Sequence, residues 1–160
     1  MTAMKPRVYL ETSIISYLAA RISRNILVAA NQQVTQEWWE TRRLKFDLFI
    51  SSAVVNEISR GNPEMAAQRL KIVEGIPILP VEEKALLLAE KLVERQAVPQ
   101  KSVEDALHMA IATAEGMEYL LTWNLRHIAN AAMRKRIEQV CRDHGYEPPI
   151  MCSPQELMEV

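Results

Sequence analysis

A chain of 160 residues, 49% apolar and 24% charged, is long enough for one domain with a real core and too ordinary in composition for wholesale disorder. Its formal net charge of −1 excludes a strongly basic nucleic-acid binder at the level of the whole chain, while a local basic face stays open. Cys141 and Cys152 make neither a disulfide framework nor a CxxC pair. No apolar run reaches the ~18 residues of a membrane span and no apolar leader precedes a cleavage site, so a soluble, cytoplasmic protein is expected.

In chain order, RVYLET (7–12) reads as the first strand, followed by a helix over 14–20 and, past a polar break, a longer helix over 25–45. That helix carries Trp38 and Trp39 side by side. Neighbours on a helix stand about 100° apart, so one indole can serve the core while the other lies towards the margin as part of a partner surface, core packing of both being the alternative. DLFISS (47–52) reads as the second strand and 53–60 as a helix. The turn Gly61-Asn62-Pro63 then opens a helix over 63–74 that Gly75 closes. IPILPV (76–81) is the third strand. Helices over 82–96 and 102–115 follow, with Leu86, Leu87, Leu88, Ala89, Leu92, Val93 and then Ala106, Leu107, Ala110, Ile111, Ala114 at helical spacing. EYLLTW (118–123) is the fourth strand, 125–144 a last long helix ending at Gly145, and PIMC (149–152) a weaker fifth strand. Strands alternating with helices predict a single α/β domain over 1–160, with a central, mostly parallel sheet of four to five strands.

In such a sheet the helix N-termini gather at the carboxyl edge of the strands, where open α/β sheets bind ligands. Glu11, Thr12 and Ser13 end the first strand there, and Ser51 and Ser52 end the second, with Glu57 on the helix after it. Ser102 and Asp105 open the helix before the fourth strand, which ends in Thr122, Trp123 and Asn124, with Arg126 and His127 just beyond. Taken singly, Ser102 and Asp105 read as a capping box, Glu57 as a solvated helix position and Asn124 as a turn residue. Glu11 resists such a reading, because a carboxylate between Leu10 and Ile14 risks burial without a partner. Carboxylates from three distant segments repel one another unless a cation joins them, and an all-oxygen set suits Mg²⁺ or Mn²⁺ and metal-assisted phosphodiester hydrolysis. No Cys/His cluster suggests zinc, no GxxxxGK[ST] suggests a nucleotide, and the histidines lack the paired serine motif of a hydrolase triad.

The segments VYLETSIISYL, ISSAVVNEISRG, SVEDALHMAIATAEG and YLLTWNLRHIAN, in this order and spacing, resemble a PIN domain, in particular the VapC-type toxins of bacterial toxin–antitoxin pairs. The resemblance runs from about residue 7 to the C-terminal PPIMCSPQELM. It implies a three-layer α/β/α fold and a Mg²⁺- or Mn²⁺-dependent endoribonuclease site. Glu11, Glu57 and Asp105 would then be the metal-holding acids, Asn124 the fourth catalytic position, and Thr12, Ser13, Thr122 and Arg126 the groups that orient water or contact substrate. It further implies an RNA substrate, a small antitoxin docked in a groove lined by the first helices, and a homodimer. Two positions depart from the family pattern: the first acid is Glu11 where Asp is usual, and Asn124 stands at the position of a fourth acid.

Arg126, Arg134, Lys135, Arg136 and Arg142 against Glu138 and Asp143 offer either an RNA-facing surface or an ordinary solvated helix face. Two readings of the function stay open, a metal-dependent endoribonuclease and a PIN-fold module that binds RNA or protein without cutting. A phosphatase of similar topology needs a nucleophilic Asp at the first strand end, and LETSI lacks one.

Overall fold

The first strand, β1 (Arg7–Leu10), takes the centre of the sheet because both of its faces are covered: Val8, Tyr9 and Leu10 are fully buried. The computed structural model describes residues 4–158. After β1 come α1 (Thr12–Ala19), α2 (Ile26–Thr41), a 3₁₀ turn (Arg43–Lys45), β2 (Asp47–Ser51), α3 (Ser52–Ile58) and α4 (Pro63–Ile72). The second half holds β3 (Ile78–Leu79), α5 (Glu83–Glu94), α6 (Val103–Ala114), β4 (Tyr119–Leu121), α7 (Ala131–Asp143) and β5 (Ile150–Cys152). The five strands pair in the order β3-β2-β1-β4-β5, every pair parallel, with Val8 opposite both Leu48 and Tyr119. From β1 the chain moves to β2 and β3 on one side, then crosses to β4 and β5 on the other. The order therefore reverses between β1 and β4, and a crevice at such a switch point is where open α/β sheets take ligands.

Four boundaries differ from the sequence expectation. Helix α1 begins at Thr12, directly on Glu11, two residues before the predicted start. The helix expected over 25–45 stops at Thr41. The backbone turns through Arg43–Lys45 so that Phe46 can enter the core and stack on Trp38, with ring centroids 5.6 Å apart. Strand β3 shrinks to Ile78–Leu79 because Pro77 and Pro80 flank it and cannot donate to a ladder. The last helix starts at Ala131 rather than 125. Asn124 Oδ1 holds a turn by accepting from His127 N at 2.9 Å, and Asn130 then caps α7 by accepting from Ala132 N.

The core is apolar side chains from both faces of the sheet, and Trp38 is its largest fully buried member, donating Nε1–H to Leu157 O at 3.2 Å. Trp39, next to it, lies half-buried under the Arg43 guanidinium, 4.8 Å from the ring centroid, so the two indoles divide between core and margin. Gly116 ends α6 in the left-handed region at φ +72. Gly116→Ala is expected to cost about 1 kcal/mol through that backbone alone, read as a lower urea midpoint at unchanged slope. Among the described residues no helix is long and apolar enough to cross a membrane.

Candidate active site at the carboxyl edge

Glu11 follows β1 at the carboxyl edge, where β1 lies beside β4. Its backbone N–H still donates to Leu121 O at 3.1 Å, so the residue is tied to the sheet before its side chain is considered. The side chain is buried, and a single oxygen, Oε1, accepts from Ser13 Oγ at 2.5 Å and from Thr122 Oγ1 at 2.6 Å. The two hydroxyls are in turn fixed by the turn after β4. Ser13 Oγ accepts from Trp123 N at 2.8 Å and Thr122 Oγ1 from Asn124 N at 2.9 Å. Each hydroxyl thus takes a backbone donor on one side and gives its proton to the carboxylate on the other. This clamp satisfies the buried charge that made Glu11 anomalous in the sequence.

Glu57, half-buried on α3, is held the same way. Its Oε1 accepts from Thr12 Oγ1 at 3.1 Å and from His108 Nε2. Burial would raise the Glu57 pKa, but the His108 hydrogen bond and charge, helped by Thr12 and Arg60, outweigh it and hold the carboxyl below its ordinary value. Burial would likewise lower His108, and the bond to Glu57 with the negative field of Glu11, Glu57 and Asp105 raises it instead. The signs give a stability window. The Glu57 contribution is complete above its unfolded value near 4.5 and lost as pH falls through the folded value. The His108 contribution is complete below its unfolded value near 6.5 and lost as pH rises through the folded value. Urea stability of wild type relative to His108→Gln is therefore expected to peak between those two pH values and to narrow on either side. A difference independent of pH refutes the pair.

Asp105, on the first turn of α6, uses both oxygens within the protein. Oδ1 accepts from Asn124 Nδ2 at 3.0 Å and Oδ2 from His127 Nδ1 at 3.1 Å. The capping box is not formed: Ser102 makes no side-chain cap, and its Oγ lies 3.2 Å from His127 Nδ1 instead. Ser102, His127 and Asp105 do not make a hydrolase triad either, since serine and aspartate meet the same ring nitrogen. Asn124 is spent at both ends, its Nδ2 on Asp105 and its Oδ1 on His127 N.

The sequence-predicted residues Glu11, Thr12, Ser13, Glu57, Asp105, Thr122 and Asn124 thus lie in hydrogen-bonded clusters along one edge. Arg126 stays outside them: exposed, its side chain meets no partner among the described residues, and only its backbone oxygen bonds, to Asn130. Sequence reasoning passed over His108 and Tyr9. The available signal was a histidine three residues after Asp105, hence on its face of α6, amid Ala106, Met109 and Ala110.

Which of these residues suit a divalent ion follows from the oxygens left over. In Glu11 and in Glu57 the protein claims Oε1, whereas no donor among the described residues reaches either Oε2. Neither Oε2 is sealed from solvent. Among the described residues no group of three or more His, Cys, Asp or Glu side chains is placed to hold a metal ion. Mg²⁺ and Mn²⁺ take one or two carboxylates and leave their other positions to water and phosphate, so an ion here would rest on no more than such a pair.

No protein-family model matches the chain, and no curated protein does. Solved structures do match. Over 92% of this chain and 98% of the other, it is similar to VapBC2 from Rickettsia felis bound to a DNA fragment from its promoter, at 18% identity and a TM-score of 0.60. Over 89% and 99% it is similar to Mycobacterium tuberculosis VapC20, a Sarcin-Ricin loop cleaving toxin, at 14% identity and a TM-score of 0.54. Over 92% and 94% it is similar to FitAB bound to an IR36 DNA fragment, at 14% identity and a TM-score of 0.55. At these identities the shared property is the fold across nearly the whole chain.

Proposed function

We propose that this chain, whose fold is that of VapC-type PIN domains, is an endoribonuclease that hydrolyses RNA phosphodiester bonds with Mg²⁺ or Mn²⁺ at the β1–β4 crevice. The observation that carries the reading is the pair of glutamates. Both have one oxygen pinned by two protein donors and the other open, and both stand at the sheet edge where the strand order reverses. Glu11 and Glu57 are the residues that would hold the ion, while Asp105 has both oxygens engaged by Asn124 and His127. A bound ion would supply Lewis-acid polarisation of the phosphoryl oxygen and stabilisation of the leaving oxygen. The chain's own groups orient the rest. Ser13 and Thr122 keep Glu11 from swinging out of the crevice, and Asn124 with His127 keeps Asp105 against the rim. Arg126, exposed just past β4, is free to meet an RNA phosphate.

The VapBC and FitAB neighbours support a small antitoxin as the partner. A homodimer and a cytoplasmic location complete the reading. The purified chain is expected to cut single-stranded or structured RNA in Mg²⁺ or Mn²⁺ and to stop on addition of a chelator. Cleavage that persists in chelator overturns it.

A second reading has its own observation. Asp105 spends both oxygens on Asn124 and His127, which favours a module that binds RNA or protein without turnover. Binding of RNA at millimolar Mn²⁺ with the RNA recovered intact would select it.

A further inference from the structure

A buried line of hydrogen bonds runs through the core and ends on Glu57. Ser51 Oγ lies 2.8 Å from Tyr9 Oη, Tyr9 Oη lies 2.7 Å from His108 Nδ1, and His108 Nε2 meets Glu57 Oε1. Ser51 and Tyr9 are 0% exposed and His108 1%, so no water competes for these groups. The line joins β2, β1, α6 and α3, four elements with no covalent reason to agree on the position of one carboxylate.

Its direction at Glu57 is fixed by donor chemistry. A carboxylate only accepts, so Nε2 carries the hydrogen whichever way the rest of the line is polarised. With a neutral ring, Tyr9 donates to Nδ1; with a charged ring, Nδ1–H donates to Tyr9, and Tyr9 donates to Ser51. Ser51 is itself held, because its Oγ accepts from Val54 N at 3.3 Å at the start of α3. Both nitrogens of the ring are therefore engaged, and the ring cannot turn without breaking a buried bond. Thr12 alone, one bond at 3.1 Å, would leave the three torsions of Glu57 loosely set.

We infer that His108 is a positioning residue: anchored by Tyr9 and Ser51, it pins Glu57 Oε1 and thereby presents Glu57 Oε2 to the crevice. The consequence for ion binding and cleavage rests on the nuclease reading; the anchoring of Glu57 does not. Groups that orient a metal-holding side chain from behind typically matter about 10- to 100-fold in affinity or activity.

The test compares wild type with Tyr9→Phe, His108→Leu and His108→Gln, each first shown to fold by circular dichroism. Mn²⁺ affinity by calorimetry, kcat and KM for RNA, and the ¹³Cδ resonance of Glu57 are then measured. Tyr9→Phe removes one oxygen and no bulk, and is expected to weaken Mn²⁺ binding and kcat about 10-fold with KM unchanged. His108→Leu is expected to cost more, and His108→Gln, whose amide can donate from near the Nε2 position, to recover most of the loss. Glu57 ¹³Cδ is expected to shift in Tyr9→Phe and His108→Leu. Unchanged Mn²⁺ affinity and kcat in folded Tyr9→Phe, or a glutamine no better than leucine, overturns the inference. A wild-type chain that binds no Mn²⁺ and cuts no RNA removes the nuclease reading instead. The ¹³Cδ shift then decides the anchor by itself: moved by Tyr9→Phe it stands, unmoved it falls.

Discussion

Glu11→Gln is expected to leave the fold standing and to reduce RNA cleavage on the order of 10²- to 10³-fold, the loss seen when one preorganised electrostatic group is removed from an active site. The substitution separates the two oxygens of Glu11. A carboxamide oxygen can still accept from Ser13 and Thr122, so the clamp that ties β1 to the turn after β4 survives. The open vertex becomes an NH₂ group, a donor without charge that cannot hold a hard cation. Glu11→Ala asks a different question, since it strips the buried Thr122 hydroxyl and the half-buried Ser13 hydroxyl of their acceptor and costs about 1–3 kcal/mol of stability for the buried one. The informative pair of measurements is therefore the melting temperature and the cleavage rate of the glutamine variant together. A folded Glu11→Gln that cuts RNA as fast as wild type would remove Glu11 from the site.

Asn124→Asp is expected to destabilise the protein by about 2–4 kcal/mol in the absence of divalent ions, although the resemblance leads one to expect an acid there. The amide matters for both of its ends. Its Nδ2 gives Asp105 Oδ1 a donor at 3.0 Å, and an aspartate at 124 would turn that contact into two carboxylates facing each other. The remaining oxygen can still take His127 N, so the turn before α7 is kept and the loss is confined to the Asp105 corner. Mg²⁺ should reverse the loss, by about 2.7 kcal/mol at a concentration 100 times its dissociation constant, because a cation between two carboxylates removes their repulsion. Urea denaturation with and without Mg²⁺ measures both the loss and its reversal. A variant as stable as wild type without metal would show that Asn124 does not hold the corner. The glutamate and asparagine departures from the family pattern thus have different structural settings: Glu11 keeps an open oxygen, while Asn124 replaces a charge by a donor.

Much of the frame was legible before any coordinates. Apolar runs of strand length between amphipathic helices implied a parallel α/β sheet, and the polar residues at the strand ends implied a rim. Glu11 stood out because a charge between Leu10 and Ile14 needs a partner. The misplaced boundaries have local causes that were present but under-read: Pro77 and Pro80 on either side of β3, and Asn124 and Asn130 holding the turns ahead of α7. His108 was missed for another reason. A lone histidine on an apolar helix face looks the same in sequence whether it is a satisfied core residue or the anchor of a carboxylate, and here it is both.

By itself, then, the sequence determined the elements, their alternation and the set of acids that a parallel sheet would bring to one edge. These follow from short-range physics, namely side-chain periodicity, caps, prolines and glycines, acting within a few residues. Tertiary structure alone decided which oxygen of each acid is spent and which is open. Glu11 is claimed by Thr122, 111 residues away, Glu57 by His108, 51 away, and His108 by Tyr9, 99 away. No local pattern encodes such contacts, because each exists only once the strand order has placed the ends of β1, β2 and β4 side by side.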